Sequence, residues 1–374
     1  MKIAKRAEIL EPSALQEFFK KTKESRDIIS FAVGETNFCT PAYIKKVAKE
    51  AIDLDRTKYT PAAGMQELRE LAVIDFSEDK IEAKKESTVI SAGSKPLISA
   101  VIWALCDPGD EILIPGPYYP PYWDLVLTYG GKPVLVDTAQ DGFELKGSRI
   151  KKCLSEKAKA IILNSPNNPT GMVWDWQELK DLPSDIWIIV DEAYYKIVYG
   201  SYQSFVSVFP ERAKQTITIR SLSKTFAMTG WRIGYLTGPE QIVKKIQLYL
   251  EVAVGSPCSI SQGAAAEALR GLAFTESEKM VRELNLRREF LMKWLDERKV
   301  KYPKPEGAFY VFADFSRWGD CLSLSNRLLE KAKVAVTPGI AFGPYKDYIR
   351  LSYAAPKSFE EFQEGLERMD KILK

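Results

Sequence analysis

Thr216–Gly238 reads TITIRSLSKTFAMTGWRIGYLTG, and its pattern changes at Ser221. Thr216 to Ile219 alternates polar with β-branched residues, as a buried strand does, and the polar turn Ser221-Leu222-Ser223-Lys224 follows at once. A strand ending this way presents side chains at its carboxyl end, where open α/β sheets bind ligands. A second apolar stretch, Arg232 to Thr237, follows after a short crossover, so Lys224 and Arg232 are expected to face one crevice. Only a neutral amine attacks a carbonyl, so covalent chemistry at Lys224 needs a lowered pKa, which a neighbouring arginine favours.

The chain has 374 residues, 45% of them hydrophobic, enough for a large core and a prior of two domains. Its formal charge is +3, with basic and acidic residues interspersed, so no basic stripe points to nucleic acid. The first residues lack the continuous apolar core of a signal peptide, and no segment approaches the length of a spanning helix; a soluble cytoplasmic protein is expected. The five cysteines are scattered and never in C-x-x-C spacing, against a disulfide framework or a zinc site. The chain contains no histidine. That excludes Ser-His-Asp and Cys-His nucleophiles and histidine metal sites, and leaves acid–base work to lysine, tyrosine, carboxylates or an organic cofactor.

From about Ser87 to Gly238, strands alternate with helices, which indicates a mainly parallel sheet in an α/β protein. Turn-forming segments that carry candidate ligand groups follow its strands. Gly93-Ser94-Lys95-Pro96 opens a helix after Ser87–Ala92, and its unpaired amides suit an anion. Gly116-Pro117-Tyr118-Tyr119-Pro120-Pro121-Tyr122 brings flat rings to the next strand end. Asn164-Ser165-Pro166-Asn167-Asn168-Pro169-Thr170-Gly171 and Asp191-Glu192-Ala193-Tyr194 end two further strands. Chain reversal explains part of the former, and Asp191 can equally cap a following turn. Met1–Lys23 reads as an amphipathic helix, Ser277–Arg298 as a long one, and Tyr348–Tyr353 as an alternating strand in which Arg350 is compatible with an exposed edge position.

Ser221 to Gly234 resembles the lysine signature of the class I and II aminotransferases, enzymes of pyridoxal 5'-phosphate. The resemblance continues in order through Gly34-Glu35-Thr36-Asn37-Phe38-Cys39-Thr40-Pro41, Tyr59-Thr60-Pro61-Ala62-Ala63-Gly64, the asparagine-proline string, the Asp191 segment and Tyr348-Ile349-Arg350-Leu351-Ser352. Thr36 and Asn37 depart from the usual Pro-Asp. The resemblance implies a fold type I transferase: a large domain over residues 41–275 with a mainly parallel seven-stranded sheet, and a smaller α+β domain built from the N-terminal segment 1–40 and residues 276–374.

It further implies that Lys224 holds the coenzyme aldehyde as a Schiff base and serves as general base and acid. Asp191 would keep the pyridine nitrogen protonated, Asn168 and Tyr194 would hydrogen-bond the phenolic oxygen, and Tyr119 would stack on the ring. The phosphate would be held by Ser94 and Lys95 through backbone N–H groups, by Ser221, Ser223 and Arg232, and by Tyr59 from the other subunit of a homodimer. Gly34, Asn168 and Arg350 would bind the substrate, Arg350 through two parallel hydrogen bonds to the α-carboxylate. The substrates implied are an amino acid, aspartate or aromatic in the family's common choices, and a 2-oxo acid such as 2-oxoglutarate. Gly255–Gln262, the loop expected to reach the partner's site, contains no arginine for a distal carboxylate. A β-lyase or decarboxylase on the same scaffold remains an alternative, as does a non-catalytic coenzyme-binding regulator, which would be expected to carry an added DNA-binding domain.

Overall fold

The computed structural model describes residues 2–4, 7–10 and 27–374, with the side chains of residues 272–274 left aside. Most of the helix expected over Met1–Lys23 lies outside the described residues. The strands in chain order are β1 (Ile29–Ser30), β2 (Thr88–Ser91), β3 (Glu111–Gly116), β4 (Lys132–Asp137), β5 (Ala158–Asn164), β6 (Trp187–Asp191), β7 (Thr216–Ser221), β8 (Gly234–Thr237), β9 (Tyr310–Asp314), β10 (Val334–Ala335), β11 (Thr337–Pro338) and β12 (Tyr348–Ser352). Seven of them form one sheet in the order β2-β8-β7-β6-β5-β3-β4.

The alternation in the sequence becomes two buried faces. In β5, Ile161 and Leu163 join the core on one side of the sheet while Ala160 and Ile162 join the other; in β6, Ile188 and Val190 oppose Ile189 in the same way. Successive strand side chains point to opposite faces, so apolar residues at consecutive positions require cover on both. Helix Ala42–Asp53, helix Gln66–Glu78 and helix Ser259–Leu269 contribute apolar residues to the first face, and helix Ser94–Leu105 and helix Glu240–Ala253 to the second.

The connection after the lysine turn is not a parallel crossover. β8 pairs antiparallel with both β7 and β2. A parallel return must carry the chain back along the sheet, usually in a helix, and residues 222–233 hold only the short turns Leu222–Thr225 and Thr229–Trp231. Ser221 and Gly234 are instead register partners across the antiparallel pair, and the chain between them forms a loop at the sheet's ligand end.

A second core gathers Ile29 and Phe31 with Ala193, Tyr194 and Ile197 and with residues from Met280 to Leu373. Here β12 is the middle strand of a three-stranded antiparallel sheet, β11-β12-β9, so Arg350 is interior and 3% exposed, not at an edge. The segment Val334–Gly339 divides: β10 pairs parallel with β1, and β11 pairs with β12. Among the described residues, no helix is long and apolar enough to cross a membrane.

One ionic cluster ties the central strand ends to a helix. Arg220, fully buried on β7, donates from Nε to Glu192 Oε2 at 2.9 Å, from Nη1 to Asp75 Oδ2 at 2.7 Å and from Nη2 to Asp79 Oδ2 at 2.6 Å. Tyr195 and Tyr235 donate to Asp75, and Tyr202 to Glu192. Glu192 follows Asp191 and Arg220 precedes Ser221, so the cluster holds neighbouring strand ends in register. Removing one partner of a buried ion pair leaves uncompensated charge. Arg220→Met is therefore expected to lower the free energy of unfolding by about 3–5 kcal/mol in equilibrium denaturation. Asp79→Asn, at the cluster's solvent edge, should cost clearly less, and equal losses in the two variants would contradict this account.

Candidate active site

The carboxyl ends of β5, β6 and β7 lie side by side, with Asn164 opposite Asp191 and Asp191 opposite Ile219. Asn164 organises the first turn: its Nδ2 donates to Asp191 O at 2.9 Å, and its Oδ1 accepts from the Asn168 amide at 2.9 Å. The Asn168 side chain is thereby brought to Arg350, whose Nη1 donates to Asn168 Oδ1 at 2.9 Å. Arg350 Nη2 donates to Ala32 O at 2.6 Å, and its Nε is buried with no partner among the described residues. An arginine buried this way retains unsatisfied donor capacity for an anion.

Asp191 is 3% exposed. Its Oδ1 accepts from the Ala193 N–H at 3.0 Å, so it does cap the following turn, and its Oδ2 accepts from the Tyr122 hydroxyl at 2.6 Å. Burial pushes its carboxyl up to about 6, against the pull of these donors. Tyr122 was not assigned a role from the sequence. The available signal was its position three residues after Tyr119 at the start of helix Pro121–Thr128, where the two rings meet edge-on at 5.4 Å.

Lys224 follows a side-chain cap, Ser221 Oγ accepting from the Ser223 amide at 3.2 Å. One short helical turn, Leu222–Thr225, then directs its amine inward, where Nζ donates to Gly34 O at 2.6 Å. Loss of water is the largest influence, drawing the amine down to about 8; Glu35 and Asp191 resist, while Arg232 and Arg350 assist. Arg232 thus favours the neutral amine as the sequence predicts, and burial adds the larger part.

Arg232 adopts a left-handed backbone, φ 57°, between the loop and β8. Its Nη1 donates to Thr229 O at 2.9 Å. A Cβ on Gly93, whose φ is 95°, would lie 2.4 Å from Arg232 Nη2, and one on Gly234 would lie 2.6 Å from the Ser94 amide. These glycines let a guanidinium and the start of helix Ser94–Leu105 converge, and helix amides with a cation make an anion cradle. Lys95 stands beside it, its amine lowered by burial and then by Arg232.

All the predicted site residues except Tyr59 line one cleft of about 410 Å³: Gly34, Ser94, Lys95, Tyr119, Asn168, Asp191, Tyr194, Ser221, Ser223, Lys224, Arg232 and Arg350. Tyr59 is fully exposed and does not line it. Tyr122, Asn164 and Tyr310 also line the cleft, and the sequence pattern assigns them no role. Asn164 opened a quoted motif, whereas Tyr310 gave no local signal beyond its place at the start of a strand. The donor set fits pyridoxal phosphate: a depressed amine for an aldehyde, a buried carboxylate for a pyridine nitrogen, an anion cradle for a phosphate and Tyr119 for the ring face.

The Lys224 shift sets a pH dependence. Its conjugate acid predominates below about pH 8 and the free amine above it, so attachment of pyridoxal phosphate to coenzyme-free protein should accelerate as pH rises through about 8. Stopped-flow absorbance measures this rate; a midpoint near the ordinary lysine value would contradict the assigned burial effect.

The family model for "Aminotransferase class I and II" matches residues 26–369. The probable aspartate/prephenate aminotransferase of Aquifex aeolicus is 40% identical, with 99% of this chain and 98% of that relative covered. Aromatic-amino-acid aminotransferase 2 of Thermococcus litoralis is 36% identical, with 100% of this chain and 99% of the relative covered. A double mutant of Thermus thermophilus aspartate aminotransferase superposes with a TM-score of 0.93 at 34% identity, covering 100% of both chains. The strand order, the lysine turn and these full-length similarities together establish that the chain belongs to the class I and II aminotransferases, as a pyridoxal-phosphate-dependent aminotransferase of fold type I.

Proposed function

We propose that this aminotransferase takes the amino group of aspartate or an aromatic L-amino acid and passes it to a 2-oxo acid such as 2-oxoglutarate. The observation that carries this reading is the meeting of Lys224, Asp191 and Arg350 in one cleft. When bound, pyridoxal phosphate supplies an aldehyde for the amine and a protonated ring that accepts electrons from the substrate α-carbon. Asp191 holds the proton at the ring nitrogen. Asn168 and Tyr194 hydrogen-bond the phenolic oxygen, Tyr119 covers the ring, and the Ser94 and Lys95 amides with Ser221, Ser223 and Arg232 hold the phosphate. Arg350 grips the α-carboxylate with Asn168 and the Gly34 backbone beside it. Lys224 Nζ would hold and move the proton at the substrate α-carbon, as base and then acid.

The names of the relatives support this range of donors. A distal carboxylate also has a candidate partner in this chain: Lys95 lines the cleft, and no ion pair to its ammonium occurs among the described residues. The small domain in this reading comprises residues 1–40 and 276–374 around the 41–275 domain, with Ile29 and Phe31 in the core of the former as support. A homodimer is supported by Tyr59, fully exposed and outside its own cleft, together with exposed Ile52, Leu54, Leu248 and Val252. Tyr59 would complete the other protomer's phosphate site. The cytoplasm is the compartment proposed for this chemistry.

A panel of amino donors with 2-oxoglutarate should yield glutamate most rapidly from aspartate or aromatic donors, whereas pyruvate and ammonia without an oxo acid would indicate a lyase. Lys224→Ala should abolish turnover and the Schiff-base absorbance, and borohydride should no longer fix coenzyme to the protein; coenzyme still fixed removes Lys224 from its role. Co-expressing Lys224→Ala with Tyr59→Ala should restore activity above either homodimer alone, since one site of the mixed dimer then has both residues. No recovery in an isolated mixed dimer would exclude a shared site.

A further inference from the structure

Tyr310 lies at the start of β9, in the sheet that carries Arg350, and its hydroxyl is 2.9 Å from that of Tyr194. The rings meet at 81° with centroids 5.7 Å apart, and both residues are buried. Tyr310 has little freedom to move away. A Cβ on Gly34 would lie 2.9 Å from its oxygen, and the Arg350 guanidinium carbon sits 4.4 Å from the centre of its ring.

We infer that Tyr310 is a positioning residue: its hydroxyl donates to Tyr194 and commits the one Tyr194 proton to the coenzyme's phenolic oxygen. This rests on the proposed function, which gives Tyr194 that contact. Each phenol has one proton. Were Tyr194 to donate to Tyr310, it would have none for the coenzyme, and the buried Tyr310 proton would need a different acceptor. The reverse direction satisfies both hydroxyls, and a buried donor without a partner is costly. The cation over the Tyr310 ring favours the same direction, because positive charge stabilises negative charge developing on the oxygen as it donates. Tyr310 thus joins the group that reads the substrate carboxylate to one that tunes the coenzyme, through a ring contact on one side and a hydroxyl pair on the other.

The test is a spectrophotometric pH titration of the coenzyme's visible band in the wild-type holoenzyme, Tyr310→Phe, Tyr194→Phe and the double variant. A donor at the phenolic oxygen favours its anionic form, so weakening that donor raises the midpoint. Tyr310→Phe should raise it by about half a pH unit. Tyr194→Phe should raise it at least as far, and the double variant should match Tyr194→Phe alone because Tyr310 acts through Tyr194. An unchanged Tyr310→Phe midpoint, or shifts that add in the double variant, overturns the inference. Absence of a visible band in the wild type, or coenzyme still fixed to the protein by borohydride in Lys224→Ala, overturns the proposed function instead. Tyr310→Phe removes one oxygen and keeps the ring, and retention of the band in this variant verifies that the site is assembled before its midpoint is compared.

Discussion

Asp191 is a carboxylate in a water-poor place, and the role proposed for it requires it to remain ionised. Burial alone favours the neutral acid. The protein offsets this with a tyrosine hydroxyl on one oxygen and a backbone amide on the other, and leaves the balance at about 6. The neighbouring amine faces the opposite problem. The same exclusion of water that raises Asp191 lowers Lys224, and the proposed reaction asks for both an anion beside a ring nitrogen and a free amine for an aldehyde in this one dry cleft.

That cleft exists because the central strands hold their ends level. Asn164, Asp191 and Ser221 close β5, β6 and β7, and the Arg220 cluster secures β6 and β7 from behind through Glu192. The buried charges on that side carry no role in the proposed reaction. They secure the backbone from which both functional side chains project.

The other wall comes from a different part of the chain. Arg350 is held in the middle strand of the small sheet and crosses the cleft to Asn168, while Gly34 receives the Lys224 amine through its carbonyl oxygen. Segments near residues 34, 168, 224 and 350 therefore meet around one volume. Two aromatic rings lie against Arg350, those of Tyr310 and Phe342, and the first carries the hydroxyl that reaches Tyr194.

Local pattern by itself determined the strands, because alternation of side chains reports which faces are buried, and the lysine turn, because its residues are contiguous. It also determined that no histidine chemistry operates here. Tertiary structure alone decided that β8 runs antiparallel, since an apolar stretch carries no mark of its direction. It moved Arg350 from a possible edge to the centre of a sheet, because the flanking strands are supplied by residues 310–314 and 337–338. It revealed Tyr122 and Tyr310, whose hydroxyl partners lie 69 and 116 positions away. A hydroxyl reads the same in sequence whether it faces solvent or a buried acid; only packing sets the acceptor within reach.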